Sequence, residues 1–172
     1  MKKPKINKKK YSFYKYNKNY PKQFASEKKI LLKILPNLLK IEHFGSTSVP
    51  KLGGKEIIDI IIEVPKKDFE KSRKILQKSG YIFRPTVKKR LFSKKYYQNR
   101  KVHVHLTYQG TNEISRAVSV RDYLRKNKKE IKKYEKIKKK AVEHAQGTGK
   151  RYVKFKNSYL RELEKKAMKK QL

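Results

Sequence analysis

The stretch EIIDIIIEV, residues 56–64, holds five isoleucines and a valine in nine positions. β-Branched side chains are stiff at χ1 and favour extended backbone, and an unbroken run of them marks a strand buried on both faces of a sheet. Such a strand needs a layer packed on each side, which argues for an α/β architecture. Asp59 stands alone in the middle of the run. A carboxylate without a partner in apolar surroundings costs several kcal/mol, so it must face a cleft, meet a cation or bind a metal. The structural alternative is pairing with an N–H or an arginine at the edge of the sheet.

The rest of the chain supplies the other layers. Apolar residues from Phe24 to Leu39 recur at three- and four-residue spacing, predicting an amphipathic helix from Pro21 that Pro36 ends or kinks. KIEHF (40–44) reads as a short strand, and GSTSVPKLGG after it as a turn and loop. Asp68 opens a helix that Gly80 stops, and YIFRP and KRLFSKKYY read as strands joined onward by a hairpin-type connection at QNRK. KVHVHLTY (101–108) alternates strictly, so Val102, Val104 and Leu106 share one face while Lys101, His103, His105 and Thr107 share the other. Residues 111–172 are mostly helical: a helix capped by Thr111, a second with Ile131, Tyr134, Ile137, Ala141, Val142 and Ala145 on one stripe, a break at GTG (147–149), and a last helix from Tyr152. The sequence therefore predicts one mixed α/β domain over residues 21–172, preceded by a basic, aromatic-containing tail over 1–20.

Charge narrows the partners. Fifty Lys and Arg against 14 Asp and Glu give a net +36 in 172 residues. Self-repulsion on that scale points to a polyanion, with RNA favoured over DNA, although an AT-rich genome also inflates lysine codons. The basic residues are spread along tail and helices. The tail is expected to be disordered on its own, with tyrosines that stack on unpaired bases or else dock on the domain. With no cysteine, any metal must use carboxylate or imidazole ligands. No apolar stretch is long enough to span a bilayer and no signal-peptide core is present, so a soluble, cytoplasmic protein is expected.

Three features converge on chemistry. A glycine directly after a strand lets the backbone turn sharply, so the amides and hydroxyls of Ser46 and Thr47 beside Gly45 can point at a phosphate. Asp59 follows on the next strand. His103 and His105 project from one face of a later strand, about 6–7 Å apart at Cβ, and can present both rings to one ligand or metal. Arg90, Lys94, Arg121 and Arg125 are candidates for a cationic rim.

Taken together, HFGSTSVPKLGGKEIIDIIIEV (43–64), HVHL (103–106), RDYLR (121–125) and the pair Tyr152 and Lys156 resemble the GrpB-like (UPF0157) proteins, from about Tyr20 to Arg161. The resemblance implies a nucleotidyltransferase-like fold, a mixed sheet flanked by helices. In that superfamily a Gly-Ser turn holds a nucleoside triphosphate and a D-x-D pair holds two divalent cations for attack on the α-phosphate. Carried over, Gly45 and Ser46 fill the turn and Asp59 the first acid, with Lys55 and Arg121 on phosphate. The second acid position is Ile61, so one Mg²⁺ or Mn²⁺ held by Asp59 and His105, or none, is expected rather than two. Lys51 stands where the family commonly has Gly, and Glu56 where it has Pro. The resemblance thus implies binding of a nucleotide or other phosphorylated ligand, with nucleotidyl transfer to RNA or a small molecule as the expected reaction and Asp59, His103 and His105 as its catalytic residues. The alternative is a non-catalytic RNA-binding or ribosome-associated module.

Overall fold

A computed structural model describes residues 12–84, 91–95, 101–145 and 149–169. The elements run α1 (Tyr20–Ile34), β1 (Lys40–Phe44), β2 (Ile57–Val64), α2 (Phe69–Lys78), β3 (Ile82–Arg84), β4 (Leu91–Lys95), β5 (Lys101–Tyr108), α3 (Glu113–Lys126), α4 (Lys128–Ala145) and α5 (Gly149–Lys169). The strands form one sheet in the order β1-β2-β5-β4-β3. Among the described strands only the central β2–β5 pair is parallel; β1 flanks β2, β4 flanks β5 and β3 flanks β4 in antiparallel fashion. The isoleucine run is thus an inner strand, with hydrogen-bonded neighbours on both sides.

Alternation along β2 and β5 divides the molecule. On one face Ile58, Ile60, Ile62, Val64, Val102, Val104 and Leu106 are fully buried and pack with Leu31 of α1 and Leu76 of α2. Burial of side chains this size contributes about 1.5–3 kcal/mol each before conformational entropy is charged against it. On the other face Asp59 lies opposite His103 and Ile61 opposite His105 in parallel register. That face turns toward α3, α4 and α5, whose own core joins Leu124, Ile131, Tyr134, Tyr159 and Leu163 to Val49 and Leu52.

Local chemistry meets the sequence expectations in some places and departs from them in others. α1 ends at Ile34, two residues before Pro36, because a proline disfavours helical backbone in the residue preceding it. Asp68 precedes α2 without a side-chain capping bond; its carboxylate instead accepts from Asn37 Nδ2 at 2.9 Å. Thr111 does not cap α3 either. The N-cap is Asn112, and the Thr111 hydroxyl is paired at 2.7 Å with that of Thr107, which is fully buried. Residues 12–19 run against the domain: Tyr14 exchanges backbone hydrogen bonds of 2.8 and 2.9 Å with Gly54, and Tyr16 packs edge-on against the buried Tyr20. The QNRK connection, Arg90, residues 1–11, and Gly147 and Thr148 lie outside the described residues, as does the side chain of Lys94; Gly149 opens α5. Among the described residues no helix is long and apolar enough to cross a membrane.

Candidate functional site

The turn after β1 is built around a glycine whose backbone conformation other residues rarely adopt. Gly45 has φ 71° and ψ −169°, a region populated almost only by glycine. A Cβ on it would lie 2.5 Å from Asp59 Oδ2. The chain at Gly45 therefore presses directly on the carboxylate of Asp59, and the 3₁₀ turn Ser46–Ser48 springs from that contact. Arg121 and Arg125 of α3 fix the turn from the other side. Arg121 donates to Glu42 at 2.6 Å, to the His43 carbonyl at 3.1 Å and to Asp122 at 2.7 Å, while Arg125 donates twice to the Ser48 carbonyl at 2.8 and 3.1 Å.

These bonds revise two expectations. The Arg121 guanidinium borders the cavity described below, but its donors are engaged by Glu42, Asp122 and His43, so it clamps α3 to β1 and is not poised as a phosphate ligand. The Thr47 side chain is buried, with its hydroxyl donating to the Ile57 carbonyl at 3.0 Å and paired at 3.0 Å with His43 Nε2. That hydroxyl ties the turn to β1 and β2 instead of facing a ligand.

His43 itself is buried, stacked on Phe24 with ring centroids 4.7 Å apart. Burial, aided by the charges of Arg125 and Arg121 and opposed by Asp59, lowers its pKa from 6.5 to about 4. The folded protein thus holds His43 neutral where the unfolded chain binds a proton, so stability falls as pH drops from 6.5 towards 4. The loss amounts to about 3 kcal/mol at 1.36 kcal/mol per pKa unit. Urea unfolding at pH 7 and pH 4 should show this loss in the wild type and a smaller one in His43→Gln.

A cavity of about 500 Å³ opens between the polar face of the sheet and α3–α5. Phe44, Ile57, Ile61, Val120 and Leu160 give it an apolar wall, and three groups of polar side chains interrupt that wall. The first is Asp59 with His103 and His105: Asp59 Oδ1 lies 3.6 Å from His103 Nδ1 and 4.0 Å from His105 Nε2. Burial alone would raise the Asp59 pKa, but the nearby His103 imidazole, with the charges of His105 and Lys156, holds it below the ordinary carboxylate range. The second group is cationic: Lys55 from the loop before β2, Lys138 from α4 and Lys156 from α5. Lys55 Nζ sits 4.1 Å and Lys156 Nζ 5.6 Å from the centre of the Tyr152 ring, and Lys138 Nζ sits 5.4 Å from that of Tyr134. Burial and the neighbouring charge of Lys156 lower the Lys55 pKa to about 8. Gly54 marks where this group meets the turn, for a Cβ there would fall within 3.0 Å of Ser46 Oγ and 2.7 Å from Lys138 Nζ. The third is the ion pair of Arg116 with Glu164, 2.5 Å long, joining α3 to α5 at the cavity.

Sequence-predicted Gly45, Ser46, Lys55, Asp59, His103 and His105 are therefore brought together, while Lys138 was overlooked. Its position carried the signal: a lysine four residues after Tyr134 and three before Ala141 stands on the apolar stripe of α4, as Asp59 stands in the apolar run of β2. The residues present do not fit a two-cation site. One carboxylate faces the cavity from β2, Ile61 occupies the place of the second, and three ammonium groups crowd the same space. Among the described residues no cluster of three or more His, Asp and Glu side chains is arranged to hold a metal ion. Lys51 and Glu56, the two loop departures, both have positive φ, 69° and 57°; proline cannot adopt the latter, so this loop differs locally from the pattern with Pro.

A family model described as GrpB protein matches residues 11–166. The chain is 32% identical over 161 residues to UPF0157 protein BH1888 of Halalkalibacterium halodurans, covering 88% of this chain and 80% of that one. It is 33% identical over 138 residues to the glutamate-rich protein GrpB of Alkalihalophilus pseudofirmus, covering 74% of this chain and 79% of that one. Among solved structures, the conserved protein GrpB from Enterococcus faecalis superposes with a TM-score of 0.79 at 30% identity, over 93% of this chain and 99% of that one. The Cid1 poly(U) polymerase superposes with a TM-score of 0.50 at 11% identity, over 77% of this chain and 45% of that one, a likeness of fold alone. The chain belongs to the GrpB family and has a nucleotidyltransferase-like fold.

Proposed function

We propose that this chain binds a nucleotide, or another ligand carrying a di- or triphosphate, in the cavity between the sheet and α3–α5. The observation that carries this is the meeting of the Ser46 hydroxyl and the Lys138 ammonium at Gly54, with Lys55 and Lys156 lining the same cavity. Converging hydrogen-bond donors and cations on a mostly apolar wall suit a phosphorylated molecule whose remainder is less polar. The reaction class that fits the fold is nucleotidyl transfer to RNA or a small molecule. An acceptor hydroxyl oxygen would attack the α-phosphorus, the bond to pyrophosphate would break, and the hydroxyl proton would pass to His103, oriented by Asp59.

Titration with ATP, GTP, CTP and UTP, each with Mg²⁺ and with EDTA, is expected to give one saturable site and a raised melting temperature for at least one of them. Lys55→Met should weaken that binding. No stabilisation by any nucleotide in either buffer would contradict the proposal. Incubation of labelled nucleotide with RNA then separates catalysis from binding, since His103→Ala should slow transfer about 10²–10⁴-fold if the imidazole takes the proton.

A second reading, RNA binding without catalysis, is favoured by the outer face of α4, where Lys132, Lys133, Lys136, Lys139 and Lys140 are all exposed. It predicts RNA affinity that falls steeply with salt and is unchanged in Lys55→Met.

A further inference from the structure

Lys138 is 3% exposed. Its Nζ donates to the Gly53 carbonyl at 2.6 Å, and among the described residues it forms no ion pair. Burial, together with the charges of Lys156 and Lys55, pushes its pKa well below the usual lysine range, against the pull of Asp59 and Glu135. Lys55 and Lys156 border the same cavity. The one carboxylate offered there by β2, Asp59, already faces two imidazoles. Buried like charges oppose folding unless something offsets them. A divalent cation entering this space would add to the repulsion, whereas an anion of several charges would relieve it.

Building on the proposed cavity ligand, we infer that the ammonium groups of Lys55, Lys138 and Lys156 take the place that paired divalent cations hold in carboxylate-rich nucleotide sites, so that the chain grips a di- or triphosphate directly and without metal. The geometry agrees with this in two ways. Lys138 reaches the cavity from α4 and Lys156 from α5, while Lys55 and Ser46 come from the connection between β1 and β2, so a polyphosphate would be met from several elements at once. Lys138 is also held by a backbone carbonyl, a neutral acceptor and not a carboxylate.

The test uses the full chain with two probes, ATP and inorganic tripolyphosphate, each titrated in EDTA and in Mg²⁺ at moderate salt to suppress loose binding to so basic a surface. Wild type is compared with Lys138→Met, Lys156→Met and a control with Lys132→Met and Lys136→Met on the exposed face of α4. Wild type should bind one equivalent of ATP in EDTA, and both cavity variants should weaken that binding about tenfold or more, the loss of a charge-assisted contact. The control should bind like wild type. Lys138→Met should also keep, or exceed, the melting temperature of the ligand-free wild type, since it removes a buried ionisable group; a lysine kept for stability would do the reverse. Binding of tripolyphosphate alongside ATP would place recognition on the phosphates, and ATP binding alone would add a contact from the nucleoside; either supports direct lysine contact. Binding in Mg²⁺ but not in EDTA would overturn the metal-free inference while leaving the cavity as a nucleotide site. Binding in EDTA that survives both cavity variants unchanged would overturn it too. Absence of binding in both buffers would overturn this inference and the proposed function together.

Discussion

Gly45→Ala is expected to lower stability by about 2–4 kcal/mol and to weaken any ligand that uses the turn after β1. Two costs combine. A backbone at φ 71° and ψ −169° holds a non-glycine residue at about 1–3 kcal/mol of strain. The new methyl would also meet Asp59 Oδ2 at 2.5 Å, so the carboxylate must move away from the imidazoles of His103 and His105 that hold it. Because Arg125 of α3 donates to Ser48 and Thr47 is bonded to His43, the turn cannot shift without loosening bonds to two elements. Guanidinium unfolding of the variant checks the stability, and the amide signals of Ser46 and Thr47 in NMR check the turn. A variant as stable as wild type would mean that the turn has room the geometry does not show.

Ile61→Asp tests the missing acid from the other direction. Ile61 is 3% exposed on the cavity face of β2, two residues beyond Asp59 and opposite His105. Losing its apolar contacts and burying a second carboxylate should destabilise the protein by about 3–5 kcal/mol in EDTA. The same change supplies the acid pair that a divalent cation needs. The variant should therefore regain stability in millimolar Mn²⁺ or Mg²⁺, whereas the wild type, with a single carboxylate on the cavity face of β2 and three lysines in the same cavity, should gain little. Unfolding curves in EDTA and in each cation measure both effects. Equal stabilisation of both proteins by the cation would show that Asp59 and its histidines suffice for metal.

What the sequence disclosed and what it hid follow from the range of the interactions. The isoleucine run and the strict alternation of KVHVHLTY are local patterns, and they placed β2, β5, Asp59 and both histidines on the faces where the structure has them. Gly45 was legible as a sharp turn, although only the folded chain reveals that its missing side chain makes room for Asp59. The clamping bond of Arg121 was not legible because its partner Glu42 lies 79 positions away, and no local pattern says whether an arginine will meet a carboxylate or a ligand. The partners of Thr47 and Thr111 were hidden for a smaller reason of the same kind: a hydroxyl beside a turn or helix start can bond locally or to another element, and here both bond elsewhere. Lys138 was hidden by abundance. In a chain with 50 basic residues one more lysine draws no notice, and only its place between Tyr134 and Ala141 on a buried stripe sets it apart from the exposed lysines around it.

Asp59 thus has a physical place in its isoleucine strand: it faces the cavity, presses on a glycine turn and pairs with two histidines, in a cavity that Lys55, Lys138 and Lys156 also line. The most direct test is a structure of the chain with a non-hydrolysable ATP analogue. Phosphate oxygens are expected within hydrogen-bond distance, about 3 Å, of Ser46 Oγ and of the ammonium groups of Lys138 and at least one of Lys55 and Lys156. An analogue seated on the exposed lysines of α4, with the cavity empty, would contradict the assignment of the cavity as the binding site.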